Sequence, residues 1–294
     1  MRFQDLPARY AFSAMGNGRS DYDGFYGMED RMNYFGFHCH DFYEIYIHFQ
    51  GGKFYAIGNE MFQLEPNMLI IMPPFHMHGL QSKGELLHYE RAFLYLSQEY
   101  LATLGCGHLD MIQLINERIR DNRFVFPMDP AAAKACGQLI RELQSRPQPG
   151  TSWDRFVDFS LILSVLRIVI EATSSAVDPI QTTIVNPTMH QVLVYINAHY
   201  TEPLTLQGLA AQFNMSVSTL SHEFIEYTRH SVYNYILYRR ISLAKQKLYE
   251  DSPIGEISFQ CGFGDYSNFL RAFHKVTGTS PRAYRQVIQE NKRD

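Results

Sequence analysis

The sequence is poor in cysteine, and its cysteines do not pair by spacing. Cys39, Cys106, Cys136 and Cys261 stand alone in 294 residues. That excludes a disulfide framework and a CxxC zinc finger, and it suits a reducing cytoplasm. A membrane-length apolar run is also missing. The longest, FSLILSVLRIVI, is too short for a bilayer and contains Arg167. The first twenty residues lack the apolar core of a signal peptide. There is no positive excess either: 26 Lys and Arg face 30 Asp and Glu, for a net charge of −4. Taken over the whole chain, that balance argues against nucleic-acid binding. The expectation is a cytoplasmic protein with no membrane partner.

What is present divides the chain. Its length fits about two domains. Aromatic residues make up 14%, which favours a β-rich part or a ring-lined pocket. From Pro187 onward 11 Lys and Arg outnumber 9 Asp and Glu, while the remainder holds 15 against 21. Only the C-terminal third could meet a polyanion, and its excess is small. Up to about Ser97, short aromatic and β-branched runs alternate with turns such as QGGK, IGNE and LEPN, as in a small antiparallel barrel. MLIIMPP reads as a buried strand closed by prolines.

The texture then becomes helical. PAAAKACGQLIRELQSR has helical spacing with Pro130 near its start, and SWDRFVDFSLILSVLRIVIEATS predicts a long helix capped near Ser152 or Asp154. One stripe of that helix is Phe156, Phe159, Leu163, Leu166 and Ile170; a second is Val157, Leu161, Val165 and Ile168. A helix apolar on two sides needs two packing partners, either the barrel and a second subunit or two parts of one domain. These features predict an α+β chain in two domains: residues 1–177, a barrel with helices from about 129, a linker over 178–187 marked by two prolines, and residues 188–294, all helical.

Two segments of the last part repeat one pattern. LTLQGLAAQFNMSVSTLSHEFIEYTRHS and SPIGEISFQCGFGDYSNFLRAFHKVTGTS each read as a short helix, a tight turn and a second helix. Ser216 and Asp265 are expected to cap the second helices, and Ser252-Pro253 to open the fourth. At about 100° per residue, Val217, Leu220 and Phe224 face inward in one second helix, and Tyr266, Phe269 and Phe273 in the other. The outward residues of the first are Ser218, His222, Ile225 and Arg229, and Ser221 is counted with them as a candidate DNA contact. Those of the second are Ser267, Arg271, His274 and Lys275, with Asn268 at the border, and the inward Tyr266 is also taken as a DNA contact. Such residues suit base edges and phosphates. A merely solvated surface explains one such motif almost as well, but two in tandem much less so.

The last hundred residues closely resemble the AraC/XylS family of bacterial transcription regulators. Ile257, Gly262, Phe263, Ser267, Phe269, Arg271, Phe273, Gly278, Pro281, Tyr284 and Arg285 fill the places of the family's second motif, and RRISLAKQKL is similar to its linker helix. The resemblance implies two recognition helices in successive major grooves of double-stranded DNA, acting through RNA polymerase. Here the first recognition helix departs from the family in carrying His222, Ile225, Glu223 and Glu226. Arg229 stands where the family commonly has glycine.

FHCHDFYEIYIHF, residues 37–49, holds the remaining signal. With period-two alternation, His38, His40, Glu44, Tyr46 and His48 share one strand face. His78 lies on another strand, and Tyr89 and Arg91 on a third. The pattern HxHxxxE followed by histidine resembles the cupin signature. In metal-binding cupins His38, His40, Glu44 and His78 would be the ligands, a set suited to iron, manganese, zinc or nickel. Sensor domains of AraC-type regulators are themselves similar to cupins without being metalloenzymes, and histidine and tyrosine also suit sugar hydroxyls. We therefore expect a homodimeric, non-enzymatic regulator. Its barrel would sense a small molecule, a sugar or related metabolite, with His38, His40, Glu44, Tyr46, His48, His78 and Arg91 lining the site. The alternatives are a metal or redox sensor using the four ligands, with a divalent metal ion as cofactor, and a cupin metalloenzyme fused to a DNA-binding domain.

Overall fold

A computed structural model describes residues 21–32, 38, 40–52, 54–81, 86–174, 186–228 and 230–291. The expected linker lies mostly outside these residues, as does Arg229.

The N-terminal strands form two antiparallel sheets. Strands β1 (Tyr22–Met32), β2 (Tyr43–Gln50), β5 (Met68–Met72), β7 (Leu86–Leu96) and β8 (Val125–Pro127) form the larger, in the order β1-β7-β2-β5-β8. Strands β3 (Phe54–Ile57), β4 (Glu60–Gln63) and β6 (His78–Gln81) form the smaller, in the order β4-β3-β6. The sheets face each other: the rings of Tyr46 on β2 and Tyr55 on β3 are 5.2 Å apart. Every residue of β5 is buried, because the larger sheet is covered on both faces, and a strand covered on both faces reads as a continuous apolar run.

Helix α3 (Pro130–Ser145) covers the outer face. A side chain at Gly137 would strike the rings of Phe49 and Tyr26, so its absence permits the close approach. Asp129 caps α3 by accepting from the amides of Ala131 and Ala132. The following long helix, α4 (Ser152–Ser174), has the expected bounds. Its cap is Thr151, whose hydroxyl accepts from the Asp154 amide while the Asp154 carboxylate accepts from the Thr151 amide, a reciprocal box rather than a cap at Ser152 or Asp154. The apolar stripes of α4 do not divide cleanly into core and seam. Leu166 is buried with Leu161 and Val165, Leu163 is half-buried, and Phe156 is exposed. Helices α1 (Gln98–Thr103) and α2 (Met111–Arg118) and the short strand β8 were not expected from the sequence.

The C-terminal part is helical throughout: α5 (Pro187–His199), α6 (Leu206–Gln212), α7 (Val217–Thr228), α8 (Val232–Lys247), α9 (Ile254–Gln260), α10 (Tyr266–Thr277) and α11 (Pro281–Asn291). The two helix-turn-helix units are α6–α7 and α9–α10. Both repeat the same finish. Thr228 donates to the carbonyls of Phe224 and His230, and Thr277 to those of Phe273 and Thr279. The turns differ in chemistry. Asn214 takes a positive φ of 53° in the first. Gly262 takes 82° in the second, where a Cβ would sit 2.3 Å from the Thr201 carbonyl oxygen, so only glycine fits. Ser216 and Asp265 cap α7 and α10 as expected. Ser252 does not cap α9; Pro253 occupies the cap position without a side-chain bond. Among the described residues, no helix is long and apolar enough to cross a membrane.

Candidate functional site

The paired sheets bring the four expected ligands together. His38 forms an isolated antiparallel bridge to His78, with backbone bonds of 2.8 and 2.9 Å. This pins the segment before β2 to the start of β6. Glu44, in β2, points inward between them. Its Oε2 lies 2.9 Å from His40 Nε2 and 3.2 Å from His78 Nε2. One potential ligand atom from each of His38, His40, Glu44 and His78 falls within 4.8 Å of the others. His38 is half-buried and the other three are buried. Phe42 stacks on His40 at 3.9 Å and closes one side.

The hydrogen bonding of this cluster leaves a conflict. His40 Nδ1 lies 2.9 Å from the Phe42 carbonyl oxygen, and His78 Nδ1 lies 2.8 Å from that of His76. A carbonyl can only accept, so both Nδ1 atoms carry the proton. A neutral ring then presents an Nε2 lone pair to the Glu44 carboxylate, which also only accepts. Two lone pairs at about 3 Å repel unless a proton or a metal cation lies between them. Burial lowers the His40 pKa more than Glu44 raises it, favouring the neutral ring. Burial also pushes Glu44 upward, but whenever His40 and His78 carry a proton on Nε2 their bonds to it outweigh this and hold it well below the carboxylate range. A buried carboxylate faced by two imidazoles, each oriented through Nδ1 by a backbone carbonyl, is an arrangement suited to holding a cation.

The rest of the expected row continues along the same inner face. The Tyr46 hydroxyl lies 2.5 Å from that of Tyr89 and 3.4 Å from His48 Nδ1. Burial lowers His48 to about 4, more than its backbone bond at Gly51 raises it. Arg91 lies over the rings of Tyr89 and Phe25 and pairs with Glu29 at 3.1 Å. His38, His40, Glu44 and His78 thus form one group, and Tyr46, His48 and Arg91 a second further along. Asp41, inside HCHDF, escaped notice in the sequence. Its carboxylate turns away from the cluster, and nothing in local spacing distinguishes it.

The helical part presents a different surface. Ser218 and His222 on α7 are exposed and Ser221 is half-buried; Ser267, Asn268, Arg271, His274 and Lys275 on α10 are all exposed. Val217 and Tyr266 were expected to face inward, yet they are 40% and 46% exposed. Each is the first residue of its helix, at the edge of the core formed by Leu220, Phe224, Phe269 and Phe273. Arg271 donates to Asn268 Oδ1 at 2.5 Å. A cleft of about 730 Å³ is lined by Ser221 of α7, Tyr233 and Arg240 of α8, and Asn268, Arg271 and Lys275 of α10. Both second helices therefore border one basic depression.

Comparison with known proteins matches both parts. The model of the AraC-like ligand binding domain matches residues 24–155, and that of a helix-turn-helix domain matches residues 209–287. YdiP, a helix-turn-helix-type transcriptional regulator of Escherichia coli (strain K12), is 35% identical over 99 residues, covering 33% of each chain. The chain thus spans a third of that relative's length. YfiF of Bacillus subtilis (strain 168), of the same type, is 24% identical over 263 residues, covering 87% of this chain and 80% of its own. Among solved structures, the DNA-binding domain of AdpA, a global transcriptional factor crystallised with a target DNA, matches at 24% identity and a TM-score of 0.36, covering 37% of this chain and 99% of that one.

Proposed function

The chain belongs to the AraC family of helix-turn-helix transcription regulators, and from that premise we propose that its ligand-binding domain senses a divalent transition-metal ion held by His38, His40, Glu44 and His78. The family is one of DNA-binding regulators with a ligand-binding domain and not of enzymes, so the fused-metalloenzyme alternative falls away.

One observation supports the metal reading above the others. Two imidazoles fixed with Nδ1 on backbone carbonyls aim Nε2 at one buried carboxylate oxygen. A cation at that point turns a repulsion into three bonds. Four protein ligands with no open position suit binding rather than turnover, and three nitrogens with one oxygen suit zinc, nickel or iron. Metal analysis of the purified protein tests this. One ion per chain is expected in the wild type and well under half an ion in His78→Ala. A wild-type protein that takes up no zinc, nickel or iron from a stoichiometric excess would overturn the assignment.

A second reading, a sugar-like small molecule, is favoured by the buried row of Tyr46, Tyr89, His48 and Arg91. Its hydroxyl, imidazole and guanidinium groups suit polar ligands. In both readings α7 and α10 carry the DNA contacts, through Ser218, Ser221, His222, Tyr266, Ser267, Asn268, Arg271, His274 and Lys275. Contact with RNA polymerase and a homodimer joined through α4 complete the proposal. The stacked, exposed Trp153 and Phe156 at the start of α4 support a seam there.

A further inference from the structure

The two domains touch through a buried ionic contact that begins one residue from the cluster. Asp41 follows His40 in the chain, and its Oδ2 accepts from the Tyr284 hydroxyl of α11 at 2.6 Å and pairs with Lys245 Nζ of α8 at 3.1 Å. Asp41, Lys245 and Tyr284 are 8%, 4% and 1% exposed. A second contact runs in parallel. The His40 carbonyl accepts from the Phe75 amide at 2.7 Å, and the Phe75 carbonyl accepts from the Ser242 hydroxyl of α8 at 3.0 Å. Phe75 holds a positive φ of 66°, a conformation that costs energy for a non-glycine residue and persists where its surroundings impose it. Met77, next to the ligand His78, and Ala56 pack into the C-terminal core.

We infer that Asp41 is the latch through which occupancy of the metal cluster is communicated to α8, and so to the DNA-reading helices. The inference rests on the metal reading above. A cation drawing His38, His40, Glu44 and His78 to bonding distance immobilises the segment from His38 to Phe42, which carries the Asp41 carboxylate. That fixes the carboxylate opposite Lys245 and Tyr284. Helix α8 faces both ways. Ser242 and Lys245 meet the sensor domain, while Val232, Tyr233, Ile236, Leu237 and Arg240 line the cleft shared by α7 and α10. A shift of α8 therefore alters the seat of both recognition helices. A buried ion pair is suited to this use, because an arrangement that separates its partners must hydrate them or leave them unpaired. Linkage makes the coupling reciprocal: if the ion tightens the latch, the latch tightens the ion.

The test uses the full chain, zinc as the probe, and hydrogen exchange of α8 together with zinc affinity. In the wild type, zinc is expected to slow exchange across α8 by about tenfold, within the ordinary range of allosteric couplings. Asp41→Asn should keep one bound ion but lose that slowing, to within about twofold. Lys245→Met, which removes none of the four ligands, should weaken zinc affinity by about fivefold or more. If zinc binds the wild type while α8 exchange stays unchanged, or if both variants respond as the wild type does, the latch is wrong and the metal site stands. If no zinc binds the wild type, the metal reading fails, and the latch as stated fails with it. Circular dichroism of each variant separates uncoupling from unfolding. Should Asp41→Asn unfold, the zinc affinity of Lys245→Met alone decides.

Discussion

At the residue scale the inner face of the sensor domain is governed by burial of groups that want protons or cations. His48 shows the consequence in isolation from the ligand cluster. Its folded value of about 4 lies below the roughly 6.5 of a free imidazole. Between those values the unfolded chain binds a proton that the folded chain does not, so stability falls as pH drops from about 6.5 toward 4. The whole effect is up to about 3 kcal/mol. Urea titrations at several pH values should show His48→Leu losing much of that slope; an unchanged slope would mean His48 is not buried neutral. Gly262 makes a backbone argument of the same kind. Gly262→Ala meets the Thr201 carbonyl and a left-handed backbone at once, and we expect it to cost about 2–4 kcal/mol in thermal or denaturant unfolding. A cost under 1 kcal/mol would mean the turn relaxes easily. His38, His40, Glu44 and this glycine were legible because each belongs to a short-range pattern, and His78 because its strand follows a proline-closed apolar run. Asp41, Lys245 and Tyr284 were not. Asp41 lies more than two hundred residues from both of the others, and only the packing of one domain on the other gives the three a common role.

At the element scale the two reading helices are not equivalent. Helix α10 offers Ser267, Asn268, Arg271, His274 and Lys275 to solvent, whereas α7 offers Ser218 and His222 beside Glu226. Phosphate attraction and bidentate guanine contacts both favour the helix with more cations. Arg271→Ala should therefore weaken specific binding by about 1–3 kcal/mol and relax preference at one base pair, and His222→Ala should cost less. Binding assays at fixed salt check this, and a larger loss from His222→Ala would reverse the division of labour. The helices themselves were readable from the sequence because caps, turns and apolar spacing agreed. The errors fell where a first-turn residue is only partly covered by the core, as at Val217 and Tyr266, and where one stripe had to serve two surroundings, as in α4. Because Leu166 is core, the seam proposed for α4 is tested at its exposed end. Trp153→Glu with Phe156→Glu should convert a dimer to a folded monomer in sedimentation, and a persisting dimer would place the seam elsewhere.

At the scale of the whole molecule, a cluster of three histidines and a glutamate, a buried interdomain ion pair and two helix-turn-helix units bordering one cleft lie in sequence along one set of contacts. The alternation in FHCHDFYEIYIHF and the repeated helix pattern disclosed the two ends of this chain of contacts. The middle, α8 docked on the loop before β2, depends on the three-dimensional arrangement alone. The central claim is that metal at the cluster changes how the protein binds DNA. Its most direct test is the affinity of the full chain, with and without one equivalent of zinc, for a DNA site selected from a random pool. The account predicts a change of about fivefold or more in Kd for the wild type and none for His78→Ala. Equal affinity with and without the ion in a wild-type protein that binds zinc would contradict it.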